Sequence, residues 1–510
     1  METKCRLRTS SFGKLRVKVV STDKVIIGSE IMKSKEPTIP SAGHLDRRTF
    51  IKGVFAAGGS LVVPSAGVFG AVARLAAISP NEKVNLACVG IGNRGADIIK
   101  ALNETGLVNV VALCDTQLGA KHTQEILKMF PNAAHFQDFR TMFDKMGKQF
   151  DAVTVGIPDH SHFAVSMLAM SQGKHVYVEK PMAHSFKQIE LMMAAEKKYK
   201  VACQMGNQGH SEANYHQFKA WTEAGVIKNV TKIVAFMNSS RRWHGMVVPD
   251  YMPAQPLLDP LDWDVWLTTA KTHGFNEAYL NGNWRSWFDF GNGALGDWGA
   301  HLFDTAHEFL QLGLPSEIDP VFIEGHSPYI FPQATTLAFR FGKRGAMPPV
   351  ELMWYDGVKN LPPLPPGFDG GVVDPNIPPP SSGKIDTKVN PPGKVIYGEG
   401  LTFKGGSHGT TLKIIPGAST ANPKLPEVPR PVTNHFLNFI AGCKGEEVCR
   451  SNFSVAGPLS QVMALGVLAQ RVNAKLEFDP VKKRITNHKV ANELLNGVPP
   501  RKGWEQYYRM

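Results

Sequence analysis

Residues 84–95 read VNLACVGIGNRG, an apolar run from Val84 to Val89 followed by Gly90-Ile91-Gly92-Asn93-Arg94-Gly95. The run predicts a buried strand, and strand, glycine turn and helix start in that order are the setting in which G-x-G-x-x-G signals a phosphate-binding loop. Gly90 permits the tight turn, Gly92 admits a pyrophosphate to the backbone, and Gly95 lets the helix pack closely on the strand. The helix beginning near Asn93 then offers free N–H groups and its dipole to the phosphates. A second apolar strand, Asn109–Cys114, ends at Asp115. A carboxylate at that distance accepts hydrogen bonds from an adenosine ribose and favours NAD over its 2′-phosphorylated form. The plainer alternative for Asp115 is a strand-end turn residue.

Working outward, residues 84–203 alternate strand and helix signals as a doubly wound parallel sheet requires. Helices are expected over Ala96–Glu104, Lys121–Met129, Phe163–Gln172 and Phe186–Lys197, and further strands over Ala152–Gly156, His175–Val178 and Ala202–Met205. Ligands of such sheets gather at the carboxyl ends of the strands. Gly90, Asp115, Ile157–His162, Glu179–Pro181 and Asn207 all fall there. In Glu179-Lys180-Pro181 the proline keeps Lys180 out of helical geometry. A lysine so presented can polarise an alcohol oxygen or relay a proton, and its plainer reading is a solvated strand-end side chain.

The second half carries strand composition at Val230–Met237 and Thr335–Phe341, and six of its tryptophans (243, 263, 266, 284, 287, 298) crowd one stretch. Aromatic faces suit sugar C–H faces, although core packing explains them as often. Trp284 and its neighbour Arg285 are the candidates for holding a substrate. A glycine-rich turn, Gly291–Gly296, leads into a helix expected over Asp297–Leu312, on which Asp297, His301, Asp304 and Glu308 share one stripe. That stripe is open to three readings: a hydrated face, a metal site, or a proton-handling pair in which Asp297 orients His301. A dinucleotide-binding half in front of it favours the third, with no metal expected. Residues 345–400 are dense in Pro and Gly and read as an insertion loop without helix or strand. Two amphipathic helices follow at Val432–Ala441 and Val455–Val472, then a basic tail.

At 510 residues the chain exceeds one domain, and 43% hydrophobic content supplies large cores. The net charge of +12 is weighted toward the first 52 residues, and no basic block is interleaved with aromatics in the body, which excludes a nucleic-acid-binding class. Asp46-Arg47-Arg48-Thr49-Phe50-Ile51-Lys52, followed by the Gly/Ala/Val-rich residues 53–73, describes an export leader of twin-arginine type, cleaved between Ala71 and Pro80. Met32 is a candidate initiator at an ordinary distance from the arginine pair. A periplasmic location follows, with the membrane involved only through this leader. Among six cysteines, Cys443 and Cys449 bracket the loop GCKGEEVC and are candidates for pairing in an oxidising compartment.

Taken together, GIGNRG, the strand-end Asp115, IPDHSH, VEKP, MGNQGH and NWRSWFDFGNGALGDWGAH resemble the Gfo/Idh/MocA family of nicotinamide-dependent sugar oxidoreductases, in its exported, glucose-fructose oxidoreductase-like branch. The resemblance covers roughly residues 80–480. It implies a Rossmann domain at 81–205 and an α+β domain with a large, open, mostly antiparallel sheet at 206–480, flanked by an extension over 1–80 and a tail at 481–510. It also implies that Lys180, Asp297 and His301 form the catalytic group. The expected protein is a homo-oligomer, dimer or tetramer, that holds NAD tightly and oxidises a carbohydrate. In the expected chemistry His301 takes the hydroxyl proton while Lys180 stabilises the alkoxide, with either of the two open as the proximal base. Cofactor contacts are expected from Gly90, Ile91, Gly92, Asn93, Arg94, Gly95, Asp115, Ile157, Pro158, His162, Glu179, Lys180 and Asn207. Lys180, Asn207, Trp284, Arg285, Asp297 and His301 face the substrate. The alternative is a glycosidase that cleaves by transient oxidation, and a further one is a non-catalytic sugar or nucleotide binder.

Overall fold

A computed structural model describes residues 82–237, 247–368, 392–429 and 433–510. The expected export leader, Trp243 and part of the Pro/Gly-rich insertion lie outside these residues.

The first domain opens with β1 (Val84–Val89), α1 (Arg94–Glu104) and β2 (Val108–Cys114). It continues through α2 (Gln124–Met129), β3 (Ala134–Phe136), α3 (Phe139–Met146), β4 (Ala152–Val155), α4 (His162–Ser171), β5 (His175–Val178), α5 (Phe186–Tyr199) and β6 (Cys203–Met205). The six strands are parallel in the order β3-β2-β1-β4-β5-β6. The order reverses between β1 and β4, which opens a crevice at their carboxyl ends. Alternate residues of β1 face opposite cores: Leu86 and Cys88 meet Ile98, Ile99 and Leu102 of α1, while Ala87 and Val89 meet Phe143 and Phe163. Helix α5 begins in a capping box, Ser185 with Gln188, which satisfies donors that a bare helix start leaves open.

The second domain follows with α6 (Ala213–Glu223), β7 (Lys232–Met237), α7 (Trp263–Leu267), α8 (Gly293–Leu302), α9 (Asp304–Phe309), β8 (Glu317–Glu324), β9 (Ala334–Phe341) and β10 (Val350–Asp356). After the insertion come β11 (Gly393–Tyr397), β12 (Thr402–Gly405), β13 (Lys413–Ile414), α10 (His435–Cys443), α11 (Phe453–Val472), β14 (Leu476–Asp479), β15 (Arg484–Ile485) and α12 (Lys489–Leu494). Nine strands run β13-β12-β11-β7-β10-β9-β8-β14-β15, antiparallel throughout except for β7 beside β10.

Two expectations are corrected here. The stretch 345–400 does contain strands: β10 lies at the middle of the sheet and β11 two places away. Flanking prolines hid VELMWYD, whose burial on both faces removes the polar alternation of a half-exposed strand. Cys443 and Cys449 are both buried free thiols, not a disulfide.

Helix α11 joins the halves. It is long and apolar enough to cross a membrane, yet 83% of its apolar window is buried inside the protein. A helix apolar all round belongs in an interior. Its Val462, Met463 and Leu465 share one continuous core with Val155 of the first sheet and Phe339 and Leu352 of the second. Two later segments reach back to the first domain. Phe439 and Ile440 of α10 pack with the α1 side of its sheet, and Trp504 and Tyr507 close on Phe139, at ring distances of 6.0 and 6.2 Å.

Candidate active site

The glycine turn explains the site's floor. Gly90 has φ 81°, a left-handed conformation open to glycine. A Cβ on Gly95 would overlap the Gly90 carbonyl, and one on Gly92 would overlap the His122 ring. Asn93, at φ 47°, places no side-chain cap on α1, so the helix start stays open. Asp115 accepts from Ile91 N–H (3.1 Å) and Gln117 N–H (2.9 Å), which ties the end of β2 to the glycine turn.

Above this floor lies a cavity of about 600 Å³, within the range of ligand sites. Gly90, Gly92, Asn93, Arg94, Asp115, Ile157, Pro158, His162, Glu179, Lys180, Trp284, Arg285, Asp297 and His301 all line it. Sequence reading therefore converges from two domains on one space. Ile91 and Gly95 belong to the frame instead: Ile91 is fully buried in the α1 core, and Gly95 packs against Gly90. Asn207, expected at both cofactor and substrate, does not line the cavity. Its amide donates to Asp304 Oδ1 (2.9 Å) and its carbonyl accepts from Ser451 (2.6 Å), a buried network behind the site.

The polar groups interlock. Lys180 Nζ donates to Asp297 Oδ1 at 2.5 Å and to the Asp297 carbonyl at 3.0 Å. Beside it, the Arg94 guanidinium donates to Glu179 Oε1 at 2.9 Å. The Lys180–Pro181 bond is cis, and His162 places Nδ1 and Nε2 each 2.9 Å from the carbonyls of Pro181 and Ile157. Asp159 Oδ2 accepts from both the main-chain and side-chain N–H of Asn292, each at 3.1 Å, which fixes the start of α8.

The shared stripe divides between two neighbourhoods. Asp297 turns to Lys180, and among the described residues the buried Nδ1 of His301 has no hydrogen-bond partner. Asp304 and Glu308 instead flank the buried His210, at 2.8 and 3.0 Å. Burial holds the His301 imidazole well below its ordinary protonation range, helped by His408 and Lys180. Sequence reading missed His408, whose ring stacks on that of His301, and also His122, and it placed Asp159 at a strand end without giving it a contact. Asp159 stood within the IPDHSH motif, but nothing local to His408 or His122 signals their arrival at the cavity.

The tryptophans divide too. Trp263, Trp266, Trp284 and Trp287 join a core of their own with Phe275, Tyr279 and Phe290. Of these, Trp266 and Trp284 also show a face to the cavity, and Arg285 lies over Trp284 at 4.1 Å.

This frame fits NAD: a side chain on Gly90 or Gly95 would overlap neighbouring backbone, and the Asp115 carboxylate closes the end of β2 beside the turn. Comparison with known proteins agrees. Residues 84–207 match the description "Oxidoreductase family, NAD-binding Rossmann fold", and residues 213–338 match "Oxidoreductase family, C-terminal alpha/beta domain". An inositol 2-dehydrogenase of Salmonella typhimurium is 27% identical over 176 residues, 34% of this chain and 50% of that enzyme. A glycosyl hydrolase family 109 protein of Solibacter usitatus is 31% identical over 136 residues, 25% of this chain and 31% of that protein. The chain thus spans half or less of the length of these curated relatives. The WlbA dehydrogenase of Chromobactrium violaceum, solved with NADH and UDP-GlcNAcA, has the same fold, with TM-score 0.54 at 13% identity over 79% of this chain and 99% of that one. Over residues 84–207 and 213–338, the chain belongs to the Gfo/Idh/MocA oxidoreductase family, with an NAD-binding Rossmann domain.

Proposed function

We propose that the protein oxidises a carbinol carbon of a sugar or glycoside. One observation carries this reading. The Lys180–Asp297 pair and His301 line the same cavity as the glycine turn and Asp115. When bound, NAD supplies the hydride acceptor. The proton and the charge fall to the chain. Lys180, anchored on Asp297, is placed to hold the substrate oxygen as negative charge grows on it. His301, kept neutral by its dry surroundings, receives the hydroxyl proton. Trp284, with Arg285 against its face, offers an apolar surface and donors to a ring carrying hydroxyls. The arginine pair at 47–48 supports export by the twin-arginine route, which carries folded proteins and hence a tightly held cofactor.

The match to glycosyl hydrolase family 109 proteins favours a second reading. Here a glycoside is oxidised transiently, loses its aglycone, adds water and is reduced again. Native mass spectrometry of the purified protein, followed by incubation with glycosides deuterated at the oxidised carbon, tests both. Net oxidation moves the label out of the sugar. Cleavage with return keeps it there while solvent deuterium enters the neighbouring carbon. Turnover that proceeds in protein stripped of NAD would sink both readings.

A further inference from the structure

His408 stands in the GGSHGT loop between β12 and β13, and its ring lies on that of His301, with centroids 3.9 Å apart and planes 19° from parallel. Trp298 presses edge-on against both rings, at 5.6 and 6.0 Å. The loop is closely held. His408 has φ 51°, a conformation that costs most side chains energy. A Cβ on Gly209 would come within 2.6 Å of the His408 carbonyl carbon, and one on Gly409 would overlap the Glu212 carboxylate. The helical turn at Gln208–Ser211 therefore abuts the loop closely enough to fix it. Nδ1 of His408 lies 3.0 Å from Ser407 Oγ.

We propose that His408 is the positioning residue of the site, holding the His301 ring by stacking and keeping it unprotonated. Asp297, to which sequence reading gives that task, is engaged by Lys180. The inference rests on the proposed use of His301 as the base. Two imidazolium rings stacked face to face would repel strongly in a buried site, and His408 accordingly opposes protonation of His301. The other charged groups acting on His301 are Lys180 and Arg94, which also oppose its protonation, and Asp297, which favours it. Burial, which the His408 ring helps to complete, acts in the same direction as the cations.

The test is an NMR titration of histidine-labelled, NAD-loaded protein, with the His301 signal assigned from His301→Gln. His408→Asn removes the ring while tolerating the left-handed backbone, and His408→Phe keeps an aromatic face without a charge. His408→Asn is expected to raise the proton affinity of His301 roughly tenfold or more, and His408→Phe to raise it less. Unchanged fluorescence quenching by NAD in both variants would show that the fold is kept. With any glycoside that is turned over, the acid limb of kcat/KM should move to higher pH in His408→Asn. A His301 titration indifferent to His408→Asn overturns the inference. Normal turnover by His301→Gln overturns the base reading instead, and with it the claim that the stack serves catalysis.

Discussion

Lys180 Nζ and Asp297 Oδ1 are 2.5 Å apart, with side chains 14% and 5% exposed, so an ammonium from the end of β5 is locked to the first turns of α8. Breaking such a pair from one side leaves an unpaired buried charge, at about 3–5 kcal/mol. Lys180→Ala should therefore lower turnover roughly 100-fold or more and also lower the denaturation midpoint. Adding Asp297→Asn to Lys180→Met should recover much of the stability and none of the turnover. A double variant that regains activity would remove Lys180 from the chemistry.

Asp115 is predicted to set the choice of cofactor. A 2′-phosphate brought beside this carboxylate meets like charge, on the order of 1–3 kcal/mol, so NAD should bind at least about tenfold more tightly than NADP. Calorimetric titration with each dinucleotide measures this directly. Equal affinities would leave Asp115 only its role in tying the glycine turn to β2.

Asp159 is predicted to matter without touching substrate. Asp159→Ala removes two hydrogen bonds to Asn292, at a cost of about 2–3 kcal/mol. It also frees the helix that carries Asp297 and His301. Turnover should fall about tenfold or more while NAD affinity changes little. The reverse pattern would place Asp159 at the cofactor.

The network behind the site predicts a pH dependence of stability. Burial alone would keep His210 neutral, but Asp304 and Glu308 outweigh it and raise the pKa from 6.5 to about 10. A histidine whose folded value is raised stabilises fully below its unfolded value and loses that contribution as pH climbs through the folded one. Thermal midpoints should accordingly fall between about pH 6.5 and 10. His210→Gln should flatten that slope, and a slope that survives the substitution has another source.

Export is checked separately. Arg47→Lys with Arg48→Lys should leave precursor in the cytoplasm if the arginine pair is what the machinery reads. Normal export of that double variant would point to the general secretory route and weaken the case for a cofactor carried out with the protein.

The first domain was legible because its signals are local. A buried run, a glycine turn and a carboxylate at fixed spacing lie in one stretch, and the bounds of β5 agree with the expected His175–Val178. The second domain was less so. β10 is buried on most of its length and framed by prolines, so neither alternation nor flanks announce it. Asp297 and Asp304 are alike in sequence as members of one helical stripe, and only the arrival of Lys180 and His210 from distant segments gives them different work. His408 reaches His301 through a loop whose position depends on glycines at 209 and 409, a long-range fit with no period to read.

The aromatic clasp at residues 504–508 bears on the order of assembly. Tyr508 accepts a hydrogen bond from Gln188, 320 positions earlier, and Trp504 and Tyr507 seal Phe139. Contacts of such span demand closure of a very long loop before they repay its entropy. The dinucleotide-binding half is therefore completed by side chains from the far end of the chain. Residues 82–205 cut out as a separate piece would expose Phe139 and the α1 face that α10 covers, and would be expected to aggregate rather than bind dinucleotide.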